Sequence, residues 1–130
     1  YTSSVPNQPF NKLRPAFQYN YTKANNAGVN MSLARVHFST QRFRTNFGLM
    51  AGDYATANLA AEEPWARAVF EANVGIKLSN KKELWLDAGL MPSHIGFESA
   101  IGRDNWAATR SIVADNSPYY ETGLRFSFQP

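Results

Sequence analysis

Ser93 and His94 stand side by side with Glu98 four residues further on, and these side-chain types are those of a nucleophile, a general base and an orienting carboxylate. The chemistry they could do is hydrolysis. Adjacent residues seldom bring hydroxyl and imidazole within hydrogen-bond reach of each other, and Gly96 allows a sharp turn here, so a knot in a loop is the better account. His37 and His94 could hold a metal only with carboxylates folded against them, and no spacing in the chain suggests such a site. No catalytic residue, no metal ligand and no cofactor is assigned.

Another kind of chemistry is carried by charged and polar residues that recur at alternate positions: Arg42, Arg44, Arg67, Glu71, Asn73, Lys77, Asp87, Glu121 and Arg125. If the segments bearing them are strands, these side chains share one face, where they could filter ions and polar solutes in a water-filled passage. Three further charges, Arg103, Arg110 and Asp115, lie in the long connection from Pro92 to Pro118. Folded inward, that connection would constrict the passage. Left outside, it would be a surface loop packing on its own Trp106 and Ile112. A short helix is expected within it, with Trp106, Thr109, Arg110 and Val113 on one side and Asp104 as its cap.

The elements that must position these residues are strands. Phe43, Thr45, Phe47, Leu49 and Ala51 alternate with Arg42, Arg44, Asn46, Gly48 and Met50, a period that no helix turns into one apolar face. From Arg67 to Leu78 the apolar phase is Ala68, Phe70, Ala72, Val74, Ile76 and Leu78. Leu84, Leu86, Ala88 and Leu90 follow a Ser-Asn-Lys-Lys-Glu turn, and Tyr120, Thr122, Leu124, Phe126 and Phe128 form the last alternation. Two earlier segments are weaker: Ala16 to Thr22, and Val29 to Thr40. In the second the apolar phase slips, from odd at Val29, Met31 and Leu33 to even at Ala34, Val36 and Phe38, which implies a bulge or burial on both sides near Leu33.

Connections alternate between short (Ser39 to Gln41, Ser79 to Glu83) and long (Asp53 to Ala66, Pro92 to Pro118). That rhythm fits a membrane β-barrel with short periplasmic turns and long extracellular loops. Charge is confined to one phase of the strands, so a barrel would set the other phase to lipid, with Phe43, Phe126 and Phe128 near the short turns and Phe70 and Tyr120 near the long loops. A soluble sandwich or lipocalin-like barrel would show the same alternation, with the apolar phase as its core.

Composition agrees with β structure. Nine Phe, six Tyr and three Trp in 130 residues favour pleated, half-buried surfaces. No run approaches the roughly 18 apolar residues of a membrane-spanning helix. The net charge of +3 is scattered rather than gathered in a stripe, which argues against nucleic acid as a partner. The absence of Cys excludes a disulfide framework. Five or six strands fall short of the roughly eight that close a barrel in lipid, so the chain is expected to be an internal segment of one larger barrel domain, with no separate domains of its own.

Several strings together carry a resemblance: Arg14-Pro15-Ala16-Phe17-Gln18-Tyr19-Asn20; Leu49-Met50-Ala51-Gly52-Asp53-Tyr54 running into Asn58-Leu59-Ala60-Ala61-Glu62; Glu71-Ala72-Asn73-Val74-Gly75; Leu84-Trp85-Leu86-Asp87-Ala88-Gly89; Ser93 to Ala100; and Arg110 to Tyr119. In this order they resemble the second β-barrel porin family of Gram-negative outer membranes, over nearly the whole chain from Arg14 onward. The resemblance implies an all-β, antiparallel meander barrel in the bacterial outer membrane, and it supplies no catalytic motif. The expected function is passive diffusion of small polar solutes, with a weak preference for anions. The expected partners are the lipid bilayer and those solutes, and a homo-oligomer is left open. Two alternatives stand beside it: a plugged barrel that binds through its long loops, and a membrane-embedded hydrolase using Ser93 and His94.

Overall fold

The computed structural model describes residues 21–23, 27–96, 98–107 and 110–129. Five strands make one antiparallel sheet in chain order: β1 (Ser32–Ser39), β2 (Phe43–Ala51), β3 (Val69–Lys77), β4 (Glu83–Pro92) and β5 (Tyr120–Gln129). Every strand pairs with its sequence neighbour, so the sheet is a meander, and β1 and β5 are its two edges. The strand expected over Ala16 to Thr22 lies outside the described residues except for Tyr21 and Thr22.

Both short turns are tied by a hydroxyl. Thr40 Oγ1 accepts from the amides of Arg42 and Phe43 at 3.4 and 3.0 Å, and Ser79 Oγ accepts from those of Lys81 and Lys82 at 3.3 and 3.2 Å. These side chains offer the turn backbone the partners that a strand ladder would otherwise supply, and so fix where each hairpin reverses.

Register sorts the side chains into two faces. On one, Phe43, Ile76, Leu86 and Phe126 form a row across four strands, and Phe38, Thr45, Val74, Ala88 and Leu124 form a row across all five. On the other, Ser39, Arg44, Gly75, Asp87 and Arg125 make one row, and His37, Asn46, Asn73, Gly89 and Gly123 make the next. The slip seen in the first strand resolves here. The register of β1 is continuous, and Leu33 and Met31 pack on a local apolar cluster at the long-loop end of the polar face, so the second apolar phase is burial on that side and not a bulge.

A bulge does occur in β3, and it corrects the sequence reading. Gly48 pairs with Glu71 but Leu49 pairs with Val69, so Phe70 is the extra residue. Phe70 therefore leaves the apolar row and joins Met50, Tyr54, Ala55 and Leu59 in the buried cluster, instead of standing in an outer aromatic girdle. The strand also begins later than expected. Arg67 lies in a 3-10 turn, Ala66–Ala68, where its guanidinium donates to the carbonyls of Glu62 and Ala60, both at 2.8 Å.

The two long connections fold over the cluster. A short helix, α1 (Asp53–Asn58), contributes Tyr54 and Ala55, while Ala100, Ile101 and Tyr119 approach from the connection between β4 and β5, and Tyr120, expected in an outer aromatic girdle, joins them from the first position of β5. Tyr54 and Tyr119 meet edge to face with centroids 5.8 Å apart, and the Tyr120 hydroxyl donates to Glu62 at 2.6 Å. The helix in the second connection is α2 (Ile112–Asp115), and Ser111 caps it by accepting from the Ala114 amide at 3.2 Å. Asp104 instead closes a 3-10 turn, Trp106 and Ile112 are exposed, and Thr109 lies outside the described residues. The connection is thus held by the sheet-side cluster and not by Trp106 and Ile112.

Burial pushes the Tyr54 hydroxyl up to about 12, against an opposing pull from the Arg110 guanidinium. A phenol whose pKa is higher folded than unfolded stabilises the docked form below the ordinary value of 10.0, and loses that contribution as pH rises towards about 12. Limited proteolysis of the 93–119 connection is expected to accelerate across that window and to do so much less in Tyr54→Phe. Equal acceleration in both proteins would show that Tyr54 does not govern the docking.

Candidate functional site: the charged face of the sheet

Adjacent strands lie about 4.8 Å apart, so two residues separated by an intervening strand are nearly 10 Å apart at their backbones. A long Arg side chain bridges that gap only if the residue between is small. The row through Arg44, Gly75 and Asp87 meets this condition. Arg44 Nε and Nη2 donate to Asp87 Oδ1 and Oδ2 at 2.7 and 2.5 Å, passing over Gly75. A Cβ at Gly75 would stand 2.2 Å from Asp87 Oδ1 and 2.9 Å from Arg44 Cγ. The same device recurs one strand earlier: Arg35 Nε donates to Glu71 Oε1 at 2.5 Å, across Gly48.

Neighbouring groups complete the network. Arg125 Nη2 reaches Asp87 Oδ2 from the opposite side at 3.4 Å, and Ser127 Oγ donates weakly to the same oxygen at 3.5 Å. Asn46 Nδ2 donates to Asn73 Oδ1 at 2.8 Å, and Asn73 Nδ2 to the Leu90 carbonyl at 3.1 Å. Towards the short turns, Lys77 pairs with Glu83, whose other oxygen accepts from Trp85 Nε1 at 3.0 Å. The Arg44 guanidinium covers the Trp85 ring at 4.4 Å. These contacts leave Asp87 0% and Glu71 3% exposed.

The opposite face is bare. Leu124 and Phe126 are 70% and 68% exposed, and Val36, Phe38, Phe47, Val74 and Ile76 are also exposed. A soluble sandwich requires the reverse, with the apolar phase packed and the charged phase in water. Nothing among the described residues covers the apolar rows.

The hydrolytic constellation is not assembled. Ser93 Oγ donates to Glu121 Oε1 at 2.9 Å and His94 Nδ1 lies 2.8 Å from Glu121 Oε2, so both converge on one carboxylate instead of on each other. Glu98 is engaged elsewhere. It accepts from the hydroxyl and amide of Ser111, which hold its carboxyl below the usual range. His37 contacts Asn46 within the sheet, far along the strands from His94, and no group of three or more potential metal ligands occurs among the described residues.

The three charges of the long connection are separated. Arg103 is exposed beside Asp104 at 3.4 Å, whereas Arg110 and Asp115 are buried with Arg110 Nη1 3.9 Å from Asp115 Oδ1. Arg110 Nη2 also donates to the Ala114 carbonyl at 3.1 Å. Sequence reasoning missed Arg35, Glu83 and the spacer glycines. Arg35 was legible as the odd residue between Ala34 and Val36, but the spacer role of Gly75 appears only when three strands are in register.

A family model described as "Putative beta-barrel porin-2, OmpL-like" matches residues 1–130. The chain belongs to this family. A search of the curated proteins found no match, and neither did a search of the solved structures. Membership of this porin family, with the all-β meander and the exposed apolar rows, gives the chain a porin-like role in the outer membrane.

For this member of the family the spacer glycine has a direct consequence. Gly75→Val in the full-length barrel is expected to break the Arg44–Asp87 pair and cost about 3 kcal/mol, because a buried carboxylate would lose its main partner. Urea titration of the folded, heat-modifiable band on a gel would measure it, and an unchanged midpoint would refute the spacer role.

Proposed function

We propose that the charged face lines a water-filled passage for small polar solutes and that the apolar face contacts lipid. The observation that carries this reading is the inversion of burial, with Asp87 wholly covered while Phe126 on the opposite face is 68% exposed. In lipid such apolar rows need no protein layer, and a wet interior accepts the charged rows. The lining comprises Arg42, Arg44, Glu71, Asn73, Lys77, Asp87, Glu121 and Arg125, whereas Arg67 is spent on loop carbonyls. Closing a barrel takes about eight strands, so the wall is completed by strands beyond these five. The chain is then one segment of a single barrel domain.

Ion pairing moderates selectivity. Glu71, Asp87 and Glu83 each hold a cation, and Arg42 has no carboxylate partner among the described residues. The field in the passage is therefore weakly positive, which favours anions slightly. A second reading, a barrel plugged by its own loops, is supported by the apolar cluster of Met50, Phe70 and Tyr54, which seats both long connections on the same face.

Two experiments test these assignments. The full-length parent, refolded in detergent and added to a planar bilayer under a salt gradient, is expected to give stepwise conductance with a small anion-directed reversal potential. Silence from a demonstrably folded barrel would favour the plugged reading. Leu86→Arg places a charge in the row of Phe43, Ile76 and Phe126, and is expected to cost about 2–4 kcal/mol near mid-bilayer. Bilayer insertion at the wild-type level would overturn the facing of the sheet.

A further inference from the structure

Between the two short turns lies a groove of about 550 Å³ lined by Thr40, Gln41, Arg42, Lys77, Asn80, Glu83 and Trp85. Its position is set by the hairpins. Arg42 immediately precedes β2 and Lys77 ends β3, where the Lys77 amide donates to the Arg42 carbonyl at 2.9 Å, and Glu83 opens β4 beside them. Thr40 Oγ1 fixes the first turn and Ser79 Oγ the second, so the walls are built before any ligand arrives.

The charges within it do not cancel. Lys77 is matched by Glu83, and that carboxylate is further occupied by Trp85 Nε1. Asp87, the nearest other acid along β4, is already taken by Arg44 and Arg125. Arg42 lines the groove and has no carboxylate partner among the described residues. Gln41, Asn80 and Thr40 add neutral polar groups, and Trp85, 9% exposed beneath the Arg44 guanidinium, adds a small apolar patch.

We propose that this groove is a binding station for small organic monoanions, carboxylates with a compact apolar body, at the short-turn mouth of the passage. One surplus positive charge matches one carboxylate, which the planar guanidinium of Arg42 can engage through two parallel hydrogen bonds. A dianion would place its second charge beside Glu83. Wholly apolar solutes would strip water from Gln41, Asn80 and Arg42 without replacing its hydrogen bonds. The volume falls within the range of small-molecule sites and accommodates a ring-sized body. The inference rests on the charged face being the wet interior, but it concerns binding and is separable from conduction.

The test uses the full-length barrel refolded in detergent, with folding checked by heat modifiability. Binding of benzoate, neutral benzamide and inorganic phosphate is followed by saturation-transfer NMR. Benzoate is expected to bind in preference to both others, Arg42→Gln to weaken it about tenfold, and Arg42→Lys to weaken it less. Benzamide binding as tightly as benzoate, or an Arg42→Gln protein that holds benzoate as the wild type does, would overturn the proposal. A barrel that is silent in bilayers yet shows Arg42-dependent benzoate binding would uphold the station while refuting diffusion. A conducting barrel whose benzoate binding ignores Arg42 would do the opposite.

Discussion

Asp87 is a carboxylate with no exposed surface in a single five-stranded sheet, and the rest of the charged face is arranged around it. Taking such a group out of water costs several kcal/mol unless its oxygens are satisfied by well-placed donors. Its immediate cross-strand neighbours are Gly75 on one side and Arg125 on the other, and only Arg125 carries a donor. The stronger partner, Arg44, comes from one strand further away. Glycine at position 75 is therefore part of the ion pair although it makes no contact of its own. The pair ties β2 to β4 across β3, so sheet register and charge satisfaction enforce each other. A slip of one residue would strand Asp87 and bring Leu86 into the charged row.

The parts of this arrangement legible in the sequence were those that depend on local period. The alternation from Phe43 to Ala51 and from Thr122 to Phe128 placed each residue on its face, because a strand of period two offers no other choice, whereas Tyr120 packs on the cluster. The alternation of short and long connections was equally plain. What failed depended on long-range contacts. Phe70 follows the outer phase perfectly in sequence, and only the pairing of Leu49 with Val69 shows that a bulge has turned it inward. Arg67 fits the polar phase and yet lies before the strand begins, held by carbonyls at Glu62 and Ala60 that a one-dimensional pattern does not bring near it. The family resemblance set the architecture and left these local corrections untouched.

The bulge also explains why the charged face is charged only along part of its length. With Phe70 turned inward beside Met50 and Leu33, the long-loop end of that face becomes apolar, and apolar surface facing water is covered where a covering segment is available. Tyr54, Leu59, Ala100 and Ile101 provide it. An extra residue in one strand thus decides that two connections fold onto the sheet instead of standing away from it. Gly52 is the joint that permits this: its φ of 129° sends the chain off β2 into α1, and a Cβ there would meet the Asn30 carbonyl at 2.6 Å.

Two regimes therefore meet on one face of the sheet. Near the short turns, guanidinium, carboxylate and indole groups pair laterally, and the surface stays polar enough to hold water. Near the long loops, packing displaces water and the connections sit down. A solute crossing the sheet's length would pass from a charged, hydrated surface to one narrowed by docked loops, and the order of the two is fixed by where Phe70 interrupts the alternation. If the sheet forms the wall of a closed barrel, the narrow point lies at the end from which the long loops enter, and the open groove beside Arg42 lies at the other. Selection by size and selection by charge would then act at opposite mouths, each set by a different feature: the bulge in β3 for the first, and for the second Arg42, just before β2, which has no carboxylate partner among the described residues.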